Sequence, residues 1–385
     1  MCMRCAGFGR MVYKNPAERA ALAASAAAKA QTAPADVILH GGHIVSPGSG
    51  LAQAIAIGQG RIQAIGGLAD VMARKGRMTR VIDLAGRAVL PGFVGLNFAR
   101  DPQLFPGDCD ASAAAVVDAC AGSWSQAARL GYTTIRDARF GSSAGKGEVD
   151  LLSALASQRA LVRVQALADH QVLDGLDPAA ARADCQNRLH VLGAWLDATT
   201  PDFCDKQRDC SATIAALHGQ GWQIELRVHT PAQADGAISC FRKMLQRTPG
   251  TARRHLLRSQ TALTNEQDMA LQELGVSKTL DQTCLSLDSG TRTAGSQKPL
   301  HFLASRVAHC QGRQDRRQVL LSAMAELTID AAWQCHCEHL TGSLEPGKNA
   351  DMVILAASPF EVDPEEIAAI PIVQTWLQGI PVAAI

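Results

Sequence analysis

Leu90-Pro91-Gly92-Phe93-Val94-Gly95-Leu96-Asn97-Phe98-Ala99, read as LPGFVGLNFA, decides how the rest of this chain is understood. Pro91 has no backbone N–H to offer a sheet, and Gly92 adopts conformations that other residues avoid, so the pair marks a break in regular structure. An apolar run follows at once, which is the pattern of a buried strand. The stretch reads as a junction where the chain leaves a small β-rich region and enters a larger α/β one.

Upstream of the junction, from Asp36, short apolar runs alternate with tight turns. Asp36–Leu39 and His43–Val45 flank Gly41-Gly42, and Ala54–Ile57 meets Arg61–Ile65 across Gly58-Gln59-Gly60, a hairpin signal. Val81–Leu84 and Ala88–Leu90 around Gly86 read as a second hairpin. The same style returns at the other end, where Asp351–Leu355 and Ile372–Leu377 read as strands, with Gly379 and Pro381 as breakers. The expected organisation is therefore a β-sandwich built from 36–90 and 341–385, with a second domain over 91–340 inserted in it.

Downstream of the junction, eight apolar runs alternate with helical stretches: Phe93–Phe98, Thr133–Asp137, Val162–Ala168, Leu189–Trp195, Gln223–Val228, His255–Ser259, Val276–Leu280 and Cys284–Thr291. Helical patterns lie between most of them, as at Ala232–Leu245 and Asn265–Leu274. Eight such units predict an α/β fold of the TIM-like (β/α)8 kind. One seam breaks the pattern. Between Leu280 and Cys284 there is no room for the crossover that adjacent parallel strands require, so either the barrel is incomplete near residue 282, lacking one helical unit, or the seventh and eighth runs are not adjacent strands as drawn.

The chain has 385 residues, 47% hydrophobic and 19% charged, with a net charge of +1. That composition supplies a large core and gives no electrostatic case for nucleic acid or a membrane surface. No apolar run is long enough to span a bilayer. Twelve scattered cysteines in a chain of this length read as reduced core thiols, which points to the cytoplasm. Before the β-rich region, residues 1–35 read as an Ala-rich helical extension capped at Asn15-Pro16-Ala17-Glu18. Glu18, Arg19 and Lys29 interrupt its apolar content, which argues against a secretory signal.

Three stretches together resemble the amidohydrolase superfamily, closest to its N-substituted formamide deformylase branch. They are Asp36–Phe93, GYTTIRDA at Gly131–Ala138, and LTIDAA at Leu327–Ala332 continuing through GSLEPGKNADMVIL. The resemblance implies a metal-dependent hydrolase fold with its site at the C-terminal mouth of the barrel. It also implies where the functional residues should be. The two first-strand histidines fall on Asn97 and Ala99, and the bridging lysine falls on Trp195. The fifth-strand histidine falls on Arg227, or on His229 with a slip of two. The sixth-strand histidine falls on Ser259, and the eighth-strand aspartate on Arg292.

A catalytic zinc needs about three converging His, Asp or Glu ligands and an open position for water. Asn97 is a poor ligand, Ala99 is none, and Arg227 and Arg292 bring permanent positive charge. The primary expectation is thus a protein of this fold without its catalytic metal and without a cofactor. It would act as a non-catalytic ligand-binding or partner subunit, alone or as a homo-oligomer. Two alternatives stand beside it. One is a hydrolase of non-peptide C–N bonds using relocated residues such as His229, His255, Cys284 or His301. The other is a binding protein for a small anion held by Arg227, Arg292, Arg136 and Trp195, with Arg100 nearby. Cys335, Cys337 and His339 form a candidate zinc cluster, ahead of Cys204 and Cys210 with His218, although on a helix only Cys335 and His339 share a face.

Overall fold

The fold described here is that of a computed structural model. It describes residues 33–47, 50–99, 113–141, 145–159, 161–178, 181, 188–198, 210–248, 253–280, 285–286, 298–308 and 313–384. The expected helix from Asn15 to Lys29 lies outside them. The described chain divides into two compact units. Unit 1 is Met1–Val94, Ala127–Thr134 and Lys298–Ile385, and unit 2 is Gly95–Gln126 and Ile135–Gln297.

In chain order the strands of unit 1 are β1 (Ala35–Ser46), β2 (Gly50–Gly58), β3 (Arg61–Gly66), β4 (Lys75–Asp83) and β5 (Ala88–Pro91), then β14 (Met352–Leu355), β15 (Ile372–Leu377) and β16 (Ile380–Ala384). They form one eight-stranded sheet in the order β16-β15-β14-β5-β1-β2-β3, with β4 on β1. The expected sandwich is thus a single sheet in which β14, from the C-terminal part of the chain, pairs with β5 from the N-terminal part. The β2–β3 hairpin forms across Gln59 and Gly60, both at positive φ.

The second expected hairpin does not form. β4 and β5 both run parallel to β1, on successive parts of it: His40 faces Asp83, and His43 faces Ala88. Ala85 and Gly86 at positive φ, opposite Gly41 also at positive φ, let the chain bulge and continue along the same edge rather than reverse. Pro381, read as a breaker, lies inside β16, an edge strand where a missing N–H is tolerated. The sheet's core is apolar, with Leu39, Ile44, Ile55, Ile62 and Met352 fully buried in one cluster. The short helix α1 (Leu68–Met72) contributes Val71 to a second cluster with Ile38 and Ala56.

The parallel strands are β6 (Phe93–Ala99), β7 (Tyr132–Phe140), β8 (Arg163–Asp169), β9 (Leu189–Asp197), β10 (Gln223–Val228), β11 (Leu256–Ser259), β12 (Ser277–Leu280) and β13 (Leu285–Ser286). The helices of unit 2 are α2 (Ala113–Arg129), which runs into unit 1, α3 (Gly145–Arg159), α4 (Cys210–Gln220), α5 (Pro231–Arg247) and α6 (Asn265–Glu273). Capping boxes at Thr230/Gln233 and Thr264/Gln267 start α5 and α6. Unit 1 carries α7 (Pro299–Val307), α8 (Arg313–Leu327) and α9 (Ile329–Gln334).

The strand order β12-β11-β10-β9-β8-β7-β6-β13 explains the seam at residue 282. Consecutive strands β12 and β13 stand at opposite ends of the order, and β13 pairs with Phe98 and Ala99 at the C-terminal end of β6. No crossover helix is needed there. The same connection forces curvature. Laid flat, eight strands would separate the outer two by roughly 33 Å at ~4.8 Å per spacing, whereas the step from Leu280 to Leu285 spans at most about 18 Å. The parallel sheet is therefore curled, as expected of a TIM-like domain.

Candidate functional site

The curl gives the parallel sheet a concave face, and β10 shows which residues line it. Ile224, Leu226 and Val228 are fully buried on the helix-covered side, so Glu225 and Arg227 alternate onto the other. Glu225 meets Arg136 of β7, three strands away, with Nη2 2.7 Å from Oε2. Only an inward-facing pair on a curled sheet makes that contact. Arg258 of β11 reaches the other oxygen, Nε to Oε1 2.6 Å. Arg136 also donates from Nε to the Leu96 carbonyl of β6, at 3.0 Å. Arg136 and Glu225 are wholly buried. This charged strut joins β6, β7, β10 and β11.

One row nearer the C-terminal ends, Asp197, Arg227 and Arg258 stand side by side in register on β9, β10 and β11. Asp197 Oδ1 lies 2.8 Å from His229 Nε2, and its Oδ2 lies 3.7 Å from Arg227 Nη1. Gln233 accepts from the His229 backbone N–H while helping to cap α5, so the helix start fixes the histidine's place. A carboxylate only accepts, so His229 Nε2–H donates to Asp197, and in the neutral imidazole the lone pair sits on Nδ1. His229 is one-fifth exposed and Asp197 is nearly buried.

The remaining candidates fall as follows. Trp195 lies on the same face, between Asp169 and Glu225 in register. Ser259 does not face the mouth: it pairs with Val228 on the helix-covered side, and its hydroxyl donates to the Thr261 carbonyl. His255 stands before β11, at the opposite end of the sheet, bonded to His218. His301 is exposed on α7 in unit 1. Arg100, Cys284 and Arg292 lie outside the described residues, as do the side chains of Asn97 and Ala99. Cys335 and Cys337 are buried just after α9, where the Cys337 thiol donates to the Ala332 carbonyl. They do not form the proposed zinc cluster with His339, since no group of three His, Cys, Asp or Glu among the described residues could hold a metal.

Asp197, Glu225 and Arg258 were not singled out from the sequence. The signal was present in QIELRV, where charges at Glu225 and Arg227, two apart, interrupt an otherwise apolar strand.

The family model described as Amidohydrolase family matches residues 288–383. No curated protein matches the chain by sequence. Among solved structures, the chain is similar to an adenosine deaminase from Xanthomonas campestris with bound zinc, at 15% identity and TM-score 0.64, covering 91% of this chain and 93% of that one. It is also similar to an uncharacterized metal-dependent hydrolase from Pyrococcus horikoshii, at 13% identity, TM-score 0.62 and coverage of 86% and 99%. A third is the E. coli guanine deaminase, at 15% identity, TM-score 0.59 and coverage of 90% and 99%. At these identities the likeness establishes the fold.

That fold implies a metal, and the described residues do not fit one. Asp197 and His229 supply two donors, the described residues add no third to them, and the Arg227 guanidinium beside Asp197 repels a divalent cation.

Proposed function

We propose that this chain is a hydrolase of non-peptide C–N bonds in small molecules, with His229 as general base and Asp197 as its orienting carboxylate. The observation that carries the reading is the 2.8 Å pair between these two at the C-terminal ends of adjacent parallel strands, the end where barrels of this kind place their chemistry. Similarity to deaminases and metal-dependent hydrolases supports a hydrolase over the non-catalytic subunit read from the sequence.

In this reading the chemistry has moved away from Asn97 and Ala99. His229 Nδ1 takes a proton from water, whose oxygen adds to the amide carbonyl carbon. The tetrahedral adduct then expels the amine, which receives the proton back from Nδ1. One water is consumed, and an acid and an amine are released. Asp197 holds the ring orientation and stabilises the imidazolium that forms.

The resemblance to formamide deformylases makes N-substituted formamides the first substrates to try. Release of formate and amine should be measurable for the purified chain. His229→Gln should reduce it by about 10²–10⁴-fold, and Asp197→Asn should do so with little change in KM. Equal activity in wild type and His229→Gln, or none across a panel of formamides, amides and cyclic amidines, would sink the assignment.

A further inference from the structure

Two features of the concave face point to a ligand of defined charge. Arg136 is fully buried, and its Nη1 has no hydrogen-bond acceptor among the described residues. A donor nitrogen in that position normally finds a partner in protein, water or ligand. Arg227 and Arg258 are neighbours in register on the same face, each against a carboxylate, Asp197 and Glu225 respectively. Exposure of the side chains falls inward, from 27% at Arg227 to 7% at Arg258 and 0% at Arg136. Arg227 thus stands at the mouth beside His229 with Asp197 against it, and Arg258 and Arg136 lie deeper around Glu225, so three guanidinium groups line one face.

We propose that this arginine row takes the carboxylate of a small acidic substrate, leaving its C–N bond beside His229. The inference rests on the hydrolase reading and adds the substrate class to it. A planar carboxylate accepts two parallel hydrogen bonds from a guanidinium, and at a site largely shielded from water such charge-assisted bonds are among the stronger polar contacts available. Arg227, the most exposed of the three, is the entry contact and the determinant of specificity.

The test uses a matched pair, N-formylglycine and its neutral counterpart N-formylglycinamide. Binding is measured by calorimetry and turnover by formate release, on the whole chain. The acid should bind about tenfold or more tightly than the amide, the scale of one charge-assisted contact. Arg227→Gln should abolish that preference while leaving the weaker binding of the amide in place. Arg227→Lys should restore part of it, because charge returns without the fork. His229→Gln should keep the preference in binding even as turnover falls.

The outcomes separate the two claims. Preference for the acid without turnover of either compound supports the arginine row and removes the hydrolase reading. Equal binding and equal turnover of both compounds, unaffected by Arg227→Gln, leaves a hydrolase and overturns the carboxylate site. Binding of neither compound overturns it as well.

Discussion

The two sheets of this protein hold their interiors together by different means. In unit 1 the alternation along β1 and β2 sends Leu39, Ile44, Ile55 and Ile57 into one apolar cluster, and the sheet is stabilised by the area it removes from water. In unit 2 the concave face of the parallel sheet carries Arg136, Glu225 and Arg258, a fully or nearly buried ionic strut. An apolar core tolerates changes that conserve volume. A buried charge tolerates almost nothing that removes its partner, yet the whole group can be exchanged for apolar residues at little cost. The difference teaches that the barrel interior is specified by pairing and the composite sheet by packing.

Glu225→Ala should therefore be the most damaging single change, costing about 3–5 kcal/mol, because it leaves two inward arginines without their shared carboxylate. Urea unfolding measures it. Leu39→Ala in the composite sheet should cost about 2–4 kcal/mol and Leu39→Met under roughly 1.5. The contrast sharpens with the triple variant Arg136→Met, Glu225→Leu, Arg258→Met, which should regain much of the loss. If Glu225→Ala costs less than about 1 kcal/mol, the strut does not hold the barrel, and the comparison collapses.

A second test concerns pH. At the opposite end of the parallel strands from His229, the Ile224 N–H donates to His255 Nδ1, so His255 carries its proton on Nε2 and gives it to His218 Nδ1 at 2.9 Å. Phe241 stacks on His255. Burial holds the His218 pKa below its ordinary 6.5, and the charge of Arg253 acts in the same direction, against the bond to the Thr248 carbonyl. The fold therefore disfavours the imidazolium. Above pH 6.5 this pair costs nothing; as pH falls below it, the unfolded chain takes up a proton that the folded chain resists, and stability declines. His218→Gln keeps an acceptor for His255 without titrating, so it should flatten the limb between pH 6.5 and the lowered value. An unchanged slope would assign the acid loss to carboxylates elsewhere.

How much of this was written in the sequence differs between the two sheets. The β2–β3 hairpin was legible because Gly58-Gln59-Gly60 between two apolar runs is a turn signal, and Gln59 and Gly60 take the positive φ of such a turn. The parallel strands were legible as apolar runs alternating with helical patterns. The β4–β5 connection was misread because Ala85-Gly86 is also turn chemistry. Whether such a turn reverses the chain or makes a bulge depends on Gly41 across the sheet, a partner that local pattern does not reveal. The site was half legible. His229 and Arg227 stood out by resemblance, but Asp197 and Glu225 gain meaning only when the curl brings β7 to β10 and the register sets β9 against β10. Ser259 was misplaced by one step of the alternation, enough to turn it away from the mouth.

The smallest effect tests the apolar side of the comparison where it is least perfect. Tyr132, at the start of β7, packs edge-on against Phe93 with ring centroids 6.2 Å apart. Its hydroxyl is buried and has no hydrogen-bond partner among the described residues, and burial pushes the phenol well above its ordinary 10.0. An unpartnered hydroxyl costs desolvation and returns nothing, so Tyr132→Phe, which keeps the ring and its contact, should be neutral or stabilising by up to about 1 kcal/mol. The raised pKa adds a signed readout. Its contribution is constant below pH 10.0 and turns unfavourable as pH rises further, because the unfolded chain releases a proton that the folded one keeps. The variant should lose that alkaline decline while matching the wild type near neutrality. Destabilisation of more than about 1 kcal/mol by Tyr132→Phe at neutral pH would mean that the hydroxyl has a partner such as a bound water. Polar pairing would then hold the start of β7 as well, as it does the barrel interior deeper along the same strand.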